Sequence, residues 1–480
     1  MATTPRKGGY NAGGCGLPAI DPLSSDVGDA TNIDVARLPL VPRNPLPIRE
    51  QGKAARQNHF GQVTLREAGG AVTRLVLGPR WLAPPIVFVM SPTGARDVLA
   101  RQNESCDRTV VHQEIRRLCG DNLADLPNTL WRPRKRTLQP VFSRHQVSTF
   151  GGHMAEAAAM IARSWGDGAH IDLDTEARRL TMRVLGRSVL GIDLDERAEA
   201  LAEPLNITVN YASDRGMRPI RAPWWLPTPA RHRARAAVAT LRQLAGEVLA
   251  TCRADPVVDA PLVHALIGAT DPETGRALSD LDICNDLIAF MFAGHDTTAT
   301  TLAFVLWALG RHPEIQNRVA EEVAALDDRP LTPDDVPRLG YTGQVVSEAL
   351  RLCPPVPIGG RAAMRDIAVD GYRVEAGSMV LVGIFGMQRD PALWVDPLEF
   401  NPDRFSPDNI SQIDRWQYIP FGAGPRSCIG DHFATLEVTL ALATIMQIIE
   451  IDSLTDDFPL AVPFTVVAGA PIPATVRRRK

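Results

Sequence analysis

The segment FGAGPRSCIG, from Phe421 to Gly430, places one cysteine, Cys428, among three glycines and a proline. The residues that follow it, DHFATLEVTLALATIMQII (431–449), have the pattern of an apolar helix. Cys428 therefore lies just before or at the start of a helix, where the positive end of the helix dipole and free backbone N–H groups stabilise a thiolate. The glycines allow the backbone to come close to the sulfur. This setting predicts that Cys428 is a metal ligand or a nucleophile.

A second unusual segment lies inside the longest predicted helix, from about Ser279 to His312, which Pro313 ends. The helix is roughly 50 Å long, and its centre (289–309) is apolar on most faces, as in a buried helix. Glycine and aspartate within such a helix are costly, by about 1 kcal/mol and several kcal/mol respectively. Threonines that bond their own i−4 carbonyls, with Asp296 at a surface break, offer a purely structural explanation. Departures from local rules at a helix centre nevertheless favour a functional site.

Composition limits the class of protein. Apolar residues make up 45% of the 480-residue chain and charged residues 22%, with a net charge of -4. This balance is typical of a globular protein and excludes a chain that is basic as a whole, as nucleic-acid binding would require. No apolar run approaches the ~18 residues of a membrane span. The start of the chain lacks the apolar core of a signal peptide, so we expect a cytoplasmic protein. Seven scattered cysteines without a C-x-x-C pair argue against disulfides or a zinc site.

The chain is predicted to form one large, mainly α domain with small β-sheets. Residues 1–34 are rich in Gly, Ser, Asp and Thr and predict a flexible tail, so the domain is expected at 35–480. Asp370-Gly371 stands between alternating residues and indicates a tight hairpin. Strands are predicted in QVTLREA (62–68), AVTRLVLG (71–78), PIVFVM (85–90) and the hairpin IAVDGYRV (367–374).

Five motifs in order resemble those of the cytochrome P450 family, and the resemblance covers about residues 35–480. One departure is Lys135, which stands where the family usually has arginine. The resemblance implies a P450-like fold, a haem b cofactor and a protein of the soluble bacterial type. The motifs are WRPRK (131–135), AGHDTT (293–298), EALR (348–351), FNPDRF (400–405) and FGAGPRSCIG (421–430).

The resemblance also implies which residues hold the haem. Cys428 is implied as the axial thiolate ligand of the iron, the metal of this protein. Phe421 would shield the sulfur, Gly430 would let the next helix start close to the ring, and Gly294 would leave room for dioxygen. The residues implied to bind the haem propionates are Arg426, Arg361, Trp131 and Lys135.

Asp296 and Thr297 are implied as the catalytic acid–alcohol pair, because the cleavage of dioxygen requires protons. Thr297 would form a hydrogen bond with the oxygen species bound at the iron, and Asp296 would relay protons through water. His295 would point away from the haem if Gly294 and Thr297 face it. Glu348 and Arg351 lie on one helix face and are implied to form a buried structural network with Arg404.

The function predicted from these motifs is a monooxygenase that inserts one atom of O2 into a bulky, largely apolar organic substrate by hydroxylation or epoxidation. The chain carries no reductase segment, so electrons from NAD(P)H would arrive through a separate ferredoxin- or flavodoxin-type donor. One alternative is a haem-thiolate isomerase, peroxygenase or sensor. Another is a cysteine hydrolase that uses His432 or His295 as its base.

Several segments are predicted to contact ligands or partners. The substrate would meet the loop 106–127, the helix face 289–297, the stretch 356–360 and residues 466–470. RAPWWLPTPA (221–230) is predicted to form a lid, in which Trp224 and Trp225 either line the entrance or pack beneath it. A basic surface is predicted to dock an acidic electron donor through Arg132 and Arg136, which would face outward from a cluster that also contains Arg134, Lys135 and Arg144.

Overall fold

A computed structural model describes residues 34–57, 59–79, 83–192, 198–218, 221–326 and 329–479. All of the predicted tail except Asp34 lies outside these ranges, so the boundary of the domain at residue 35 stays a prediction. None of the helices in the described ranges is both long and apolar enough to cross a bilayer.

The described residues fold into a mainly α structure, as predicted. Its helices are α1 (Ile48–Arg56), α2 (His59–Gly69), α3 (Pro92–Arg96), α4 (Val110–Cys119), α5 (Asn128–Leu138), α6 (Arg144–Ser148), α7 (Gly151–Ser164), α8 (Leu173–Val184), α9 (Ala198–Met217), α10 (Pro229–Ala254), α11 (Pro261–Gly268), α12 (Asp280–Arg311), α13 (Pro313–Ala324), α14 (Gly340–Leu352), α15 (Ile384–Met387) and α16 (Asp431–Ile448).

Small sheets flank these helices. The strands are β1 (Val72–Leu75), β2 (Ile86–Val89), β3 (Cys106–Asp107), β4 (His170–Asp172), β5 (Ile358–Ala363), β6 (Ile367–Val369), β7 (Tyr372–Val374), β8 (Met379–Gly383), β9 (Ile449–Ser453), β10 (Leu460–Ala461), β11 (Val467–Ala468) and β12 (Pro473–Arg478). The largest sheet has the order β1-β2-β8-β5-β3, with β2 and β8 parallel. The predicted hairpin is confirmed as β6–β7, with positive φ angles at Asp370 and Gly371.

The prediction of a strand at residues 62–68 is wrong, because these residues belong to α2. Gln62 and Leu65 are both fully buried, three residues apart on one helix face. The sequence does not reveal this helical period, because a glutamine is normally expected to face solvent and Gln62 is buried instead. Its amide is buried because it donates to the carbonyl of Pro357 and accepts from the N–H of Gly386. The strands predicted within 71–78 and 85–90 are confirmed as β1 and β2.

The longest predicted helix is confirmed as α12. Ser279 caps it in a capping box with Asp282, which satisfies backbone N–H groups at the amino terminus. His312 and Pro313 follow its last residue, Arg311. Most residues along α12 are buried, so the helix runs through the core and can present its central residues to an internal site.

The Glu348–Arg351 pair is fully buried, as the resemblance implied. Both side chains are 0% exposed, and two hydrogen bonds of 2.6 and 2.8 Å join them. Arg404 approaches Glu348 at 3.3 Å. Arg351 also donates to the carbonyls of Gln388 and Pro397. The network thus ties α14 to the chain that approaches the Cys428 loop.

Loss of either member of this pair leaves one buried charge without compensation. We expect Glu348→Ala to lower the free energy of unfolding by about 3–5 kcal/mol, measured by chemical denaturation, with a parallel loss of bound haem. The control is Asp456→Ala, which removes the 3.0 Å pair between Arg311 and an 89% exposed carboxylate. That change should cost at most about 1 kcal/mol. Similar losses in the two variants would contradict a dominant role for the buried pair.

Candidate active site

The backbone of the Cys428 loop adopts a conformation that favours glycine at two positions. Gly422 and Gly424 have φ angles of 68° and 72°, in the left-handed region. A Cβ at Gly424 would lie 2.1 Å from the carbonyl oxygen of Leu99, so no larger residue fits there. The N–H of Cys428 donates to the carbonyl of Phe421 at 2.9 Å, which closes the loop. The loop therefore fixes the position of the sulfur before any ligand binds.

The Cys428 side chain is exposed although it lies deep among protein atoms. A Cβ at Gly430 would meet only the Cys428 sulfur, at 3.9 Å, so open space adjoins the thiol. Burial, followed by the Asp431 carboxylate, raises the pKa of this thiol to about 11, although the Gly430 N–H and Lys135 act against the rise. The Gly430 N–H lowers the pKa of the thiol, as expected for a backbone N–H at this position, but burial outweighs it in the absence of a metal. A neutral thiol also disfavours the cysteine-hydrolase alternative, whereas a bound metal deprotonates a ligating thiol outright.

Three arginines, Arg108, Arg361 and Arg426, supply positive charge near the loop. Each has one buried N–H without a hydrogen-bond partner among the described residues: Nε of Arg108, Nε of Arg361 and Nη1 of Arg426. Burial and repulsion from Arg108 lower the pKa of Arg361 and of Arg426 to about 9. Arg426 has one long ion pair, 3.7 Å to Asp107, and the buried nitrogens without partners favour a further, anionic ligand. The two propionates of a haem have the charge and hydrogen-bonding capacity to provide it.

Trp131 and Lys135, both on α5, lie beside Arg426. The Arg426 guanidinium lies 4.6 Å from the centre of the Trp131 ring, and its Nη2 donates to the carbonyl of Leu126. Lys135 Nζ donates to the carbonyl of Pro425 at 2.6 Å and lies 5.4 Å from the Trp131 ring. Lys135 thus braces the Cys428 loop as well as adding positive charge there.

Arg108 is a site residue that sequence reasoning missed. In the register between β3 and β5, Asp107 lies opposite Ala362, which places the next residue, Arg108, beside Arg361. The predicted polar loop 106–127 is also incorrect in part, because it contains α4. The run of charged residues in that loop was the available signal, but their placement depends on a pairing more than 250 residues away in the chain.

The centre of α12 presents a small-residue face to open space. Ala293 is exposed and Thr297 is half-buried, although the helix around them is buried. The Thr297 hydroxyl donates to the carbonyl of Ala293 at 2.6 Å, and Thr301 donates to that of Thr297 at 2.9 Å. The predicted i−4 bonds therefore form at Thr297 and Thr301, whereas the Thr300 hydroxyl donates to the carbonyl of Val466. A Cβ on Gly294 would make an ordinary 3.7 Å contact with Leu185, so the open position on this face is Ala293.

Asp296 points towards α8, where its carboxylate forms an ion pair with Arg178. Arg178 Nη1 donates to Asp296 at 2.6 Å, and Arg178 Nε donates to Asp174 at 2.8 Å. His295 is buried, with Nδ1 3.2 Å from the Thr181 hydroxyl, and burial lowers the pKa of its imidazole to about 4. Its ring is thus neutral and directed away from Thr297. Sequence reasoning missed Arg178, and no motif marks it.

The predicted basic donor surface is partly neutralised. Arg144 differs from the other arginines, because its Nε contacts the imidazole of His432 at 3.3 Å. Carboxylates distant in sequence reach the other three side chains, including the two predicted docking residues, so part of the positive charge is compensated within the protein. The pairs are Arg132 with Glu104, Arg134 with Asp282 and Asp286, and Arg136 with Asp271 and Glu273.

The predicted lid lies between α9 and α10, and its two tryptophans differ. Trp225 is 80% exposed. The Trp224 ring is packed between the guanidinium groups of Arg215 and Arg231, at 4.8 and 4.9 Å. Trp224 therefore packs within the lid, whereas Trp225 lies on its surface.

Comparison with known proteins agrees with this geometry. The family described as "Cytochrome P450" matches residues 39–470. The chain is 33% identical to cyclooctat-9-en-7-ol 5-monooxygenase of Streptomyces melanosporofaciens over 71% of this chain and 74% of that protein. It is 32% identical to pentalenene oxygenase of Streptomyces avermitilis, over 79% and 84% respectively.

A solved structure, the crystal structure of the cytochrome P450DA heme domain, superposes with a TM-score of 0.81. It is 26% identical in sequence, and the match covers 92% of this chain and 98% of that one. The family match spans the fold, the Cys428 loop and the central segment of α12. The chain therefore belongs to the cytochrome P450 family and is a cytochrome P450 monooxygenase.

Proposed function

We propose that this enzyme hydroxylates or epoxidises a bulky cyclic terpenoid, using one atom of O2 and reducing the other to water. The electrons come from NAD(P)H through a separate ferredoxin- or flavodoxin-type donor. The observation that carries the haem assignment is the open Cys428 sulfur together with three arginines, two of them buried, that each keep a buried nitrogen without a hydrogen-bond partner. These groups fit a planar cofactor that ligates through its metal and carries two carboxylates.

The roles of individual residues follow from their positions. Cys428 ligates the iron, and Arg108, Arg361 and Arg426 hold the propionates, with Trp131 against the last of these. When bound, the haem supplies the iron at which dioxygen is reduced, and thiolate ligation favours O–O cleavage. Phe421 and Gly430 define the space around the sulfur, and Lys135 fixes the loop through Pro425.

Thr297 and Asp296 divide the handling of protons. The Thr297 O–H is used by the Ala293 carbonyl, so the lone pairs of Oγ1 face the open side and accept a hydrogen bond there. Thr297 thereby orients a proton that it does not itself supply. The Asp296 carboxylate, held by Arg178, passes protons to this position through water. Gly294 keeps this segment narrow beside the site.

Two observations support an apolar substrate: the apolar side chains on the open face of α12 and the substrates named for two relatives. Ala293 is small and apolar, and Phe290 packs edge-on against Phe142 at 5.1 Å behind it. Two relatives carry names that specify oxidation of cyclooctat-9-en-7-ol and of pentalenene. The intact pair of Asp296 and Thr297 favours monooxygenation over an isomerase, peroxygenase or sensor role.

Absorption spectra test the function. The purified, reduced protein should give the strongly red-shifted carbonyl Soret band of a haem thiolate, and Cys428→Ala should lose it. Cys252→Ala is the control, because Cys252 is a buried free cysteine on α10. A red-shifted band that persists in Cys428→Ala would contradict the ligand assignment.

The same protein tests the substrate class. Polycyclic terpenes should shift the iron to high spin and yield oxygenated products, whereas straight-chain fatty acids of equal carbon number should not. A stronger spin shift and turnover with the fatty acids would reject the terpenoid assignment while leaving the haem assignment intact.

Thr297→Ala should keep haem and substrate binding but release more hydrogen peroxide per NAD(P)H consumed. The reason is that the variant loses the acceptor that orients the proton. Coupling is measured as product formed per NAD(P)H. Thr301→Ala is the matched control, since its hydroxyl makes the same type of i−4 bond one turn further along α12. Equal coupling in the two variants would argue against a special role for Thr297.

Arg144 is the proposed contact for the electron donor, because it is exposed and its Nε donates to the imidazole of His432, at the start of α16, rather than to a carboxylate. We expect Arg144→Gln to weaken donor binding and slow the first electron transfer more than Arg132→Gln, whose side chain Glu104 already engages. Measurement at about 0.15 M salt, with a Debye length of about 8 Å, screens long-range effects. Equal effects of the two changes would exclude Arg144 as a direct contact.

A further inference from the structure

Positive charge is concentrated in one segment that the haem site does not use. Residues 215–242 contain seven arginines and neither aspartate nor glutamate, although the whole chain carries a net charge of -4. The segment comprises the end of α9, the lid and the first half of α10. Such local repulsion is tolerated where charges are needed for structure or for an anionic ligand.

Two of these arginines serve structure. Arg231 is 1% exposed and donates to the carbonyls of Pro223 and Trp224 at 2.7 and 2.6 Å. Arg215 donates to Ala222 at 2.7 Å and pairs with the buried Glu114 of α4, also at 2.7 Å. These bonds fix the lid against α4, α9 and α10. The lid therefore forms a preformed wall rather than a loose loop.

Against this wall lies a cavity of about 320 Å³, bounded by α4, the lid and the outer face of α10. Its volume is at the lower end of the range of small-molecule sites. Neither α12 nor the Cys428 loop contributes a lining residue, so the cavity shares no residue with the proposed haem site, although Arg117 also lines a second cavity that includes Arg108. It is lined by Arg117, Leu118, Trp224, Arg235, Val238, Ala239 and Arg242.

The three arginines that line this cavity are exposed, and carboxylates compensate little of their charge. Within the described parts of the chain, Arg235 has no ion-pair partner. Arg242 donates to the neutral carbonyl of Cys119 at 3.1 Å. Arg117 approaches Glu114 at only 3.4 Å, and that carboxylate already binds Arg215. The cavity thus presents up to three guanidinium groups with spare N–H donors.

The other walls are apolar. Leu118 and Val238 belong to a buried cluster shared by α4, α9 and α10, against which the Trp224 ring packs. The Trp224 indole N–H is buried and has no hydrogen-bond partner in the described structure. Arginine forks match carboxylate and phosphate groups, and an indole and two aliphatic side chains match a ring or short chain.

From these features we propose that the cavity binds a small amphiphilic anion, a carboxylate or phosphate group on a compact apolar body, at a site distinct from the haem. The anion contacts Arg117, Arg235 and Arg242, and its apolar part packs on Trp224. Because the site joins α4 to α10, its ligand stabilises the folded protein and raises Tm.

The test uses the haem-loaded protein, with 4-phenylimidazole bound at the iron to close the substrate cavity. Phenylacetate, phenyl phosphate and the neutral phenylacetamide are titrated by calorimetry. At least one of the two anions should bind saturably, and phenylacetamide should not. Arg235→Gln and Arg242→Gln should each weaken anion binding by about tenfold. Comparison of the two anions distinguishes a carboxylate site from a phosphate site.

Arg233→Gln is the matched control, because Arg233 is an exposed arginine on the same helix that does not line the cavity. It should leave anion binding unchanged. An equal loss in Arg233→Gln would show a general surface-charge effect and overturn the proposal, as would equal binding of phenylacetamide or no saturable binding of either anion. If Arg242→Gln lowers the Tm of the ligand-free protein, Arg235→Gln alone decides. The readout is binding rather than turnover, so it is independent of the terpenoid assignment.

Discussion

The buried ion pair of Glu348 and Arg351 is the constraint on which the site depends. The other N–H groups of Arg351 donate to backbone carbonyls of the segment 388–399. Gln388, in that segment, returns two hydrogen bonds to α14 and accepts the N–H of Ile419. Ile419 stands two residues before the Cys428 loop. A desolvated charge pair on one helix thereby sets where the ligand loop begins, which explains why such a costly pair is useful far from the chemistry.

The opposite electrostatic situation exists around the loop itself. In the Glu348 network both arginines contact a carboxylate at 3.3 Å or less, whereas Arg108, Arg361 and Arg426 repel one another, retain unpartnered donors and, among the described residues, have only a 3.7 Å pair to Asp107 from Arg426. Their lowered pKa values express the free energy that an anionic ligand recovers on binding. Because a ligand that binds only the folded state stabilises it, the haem and the fold are thermodynamically linked. The Glu348 network is complete without a ligand, whereas the three arginines near the Cys428 loop depend on the haem to complete their hydrogen bonds.

The sequence allowed the mainly α class, α12 with its ends, the β6–β7 hairpin and the cysteine loop to be predicted. These features depend on local signals such as glycine positions, proline stops and helical period. Errors arose where distant contacts decide. Gln62 is buried because Pro357 and Gly386 bind its amide, which turned a helix into an apparent strand. Arg132 is compensated by Glu104, which lies 28 residues away, and no local pattern reveals that pair.

The centre of α12 shows that a structural explanation and a functional one can apply to the same atoms. Thr297 makes the local i−4 bond expected of a helical threonine, and this bond also determines its role, because the hydroxyl proton is consumed and the oxygen is left as an acceptor. Asp296, one residue earlier, is turned about 100° round the helix and meets Arg178, which donates a hydrogen bond to its carboxylate beside the buried, neutral His295. In the proposed mechanism, helix geometry therefore separates the acceptor, Thr297, from the proton relay, Asp296. A swap of the two residues would keep the composition but place the carboxylate on the open face and the hydroxyl against Arg178. The proposed roles of acceptor and proton relay would then no longer be held by separate faces of the helix.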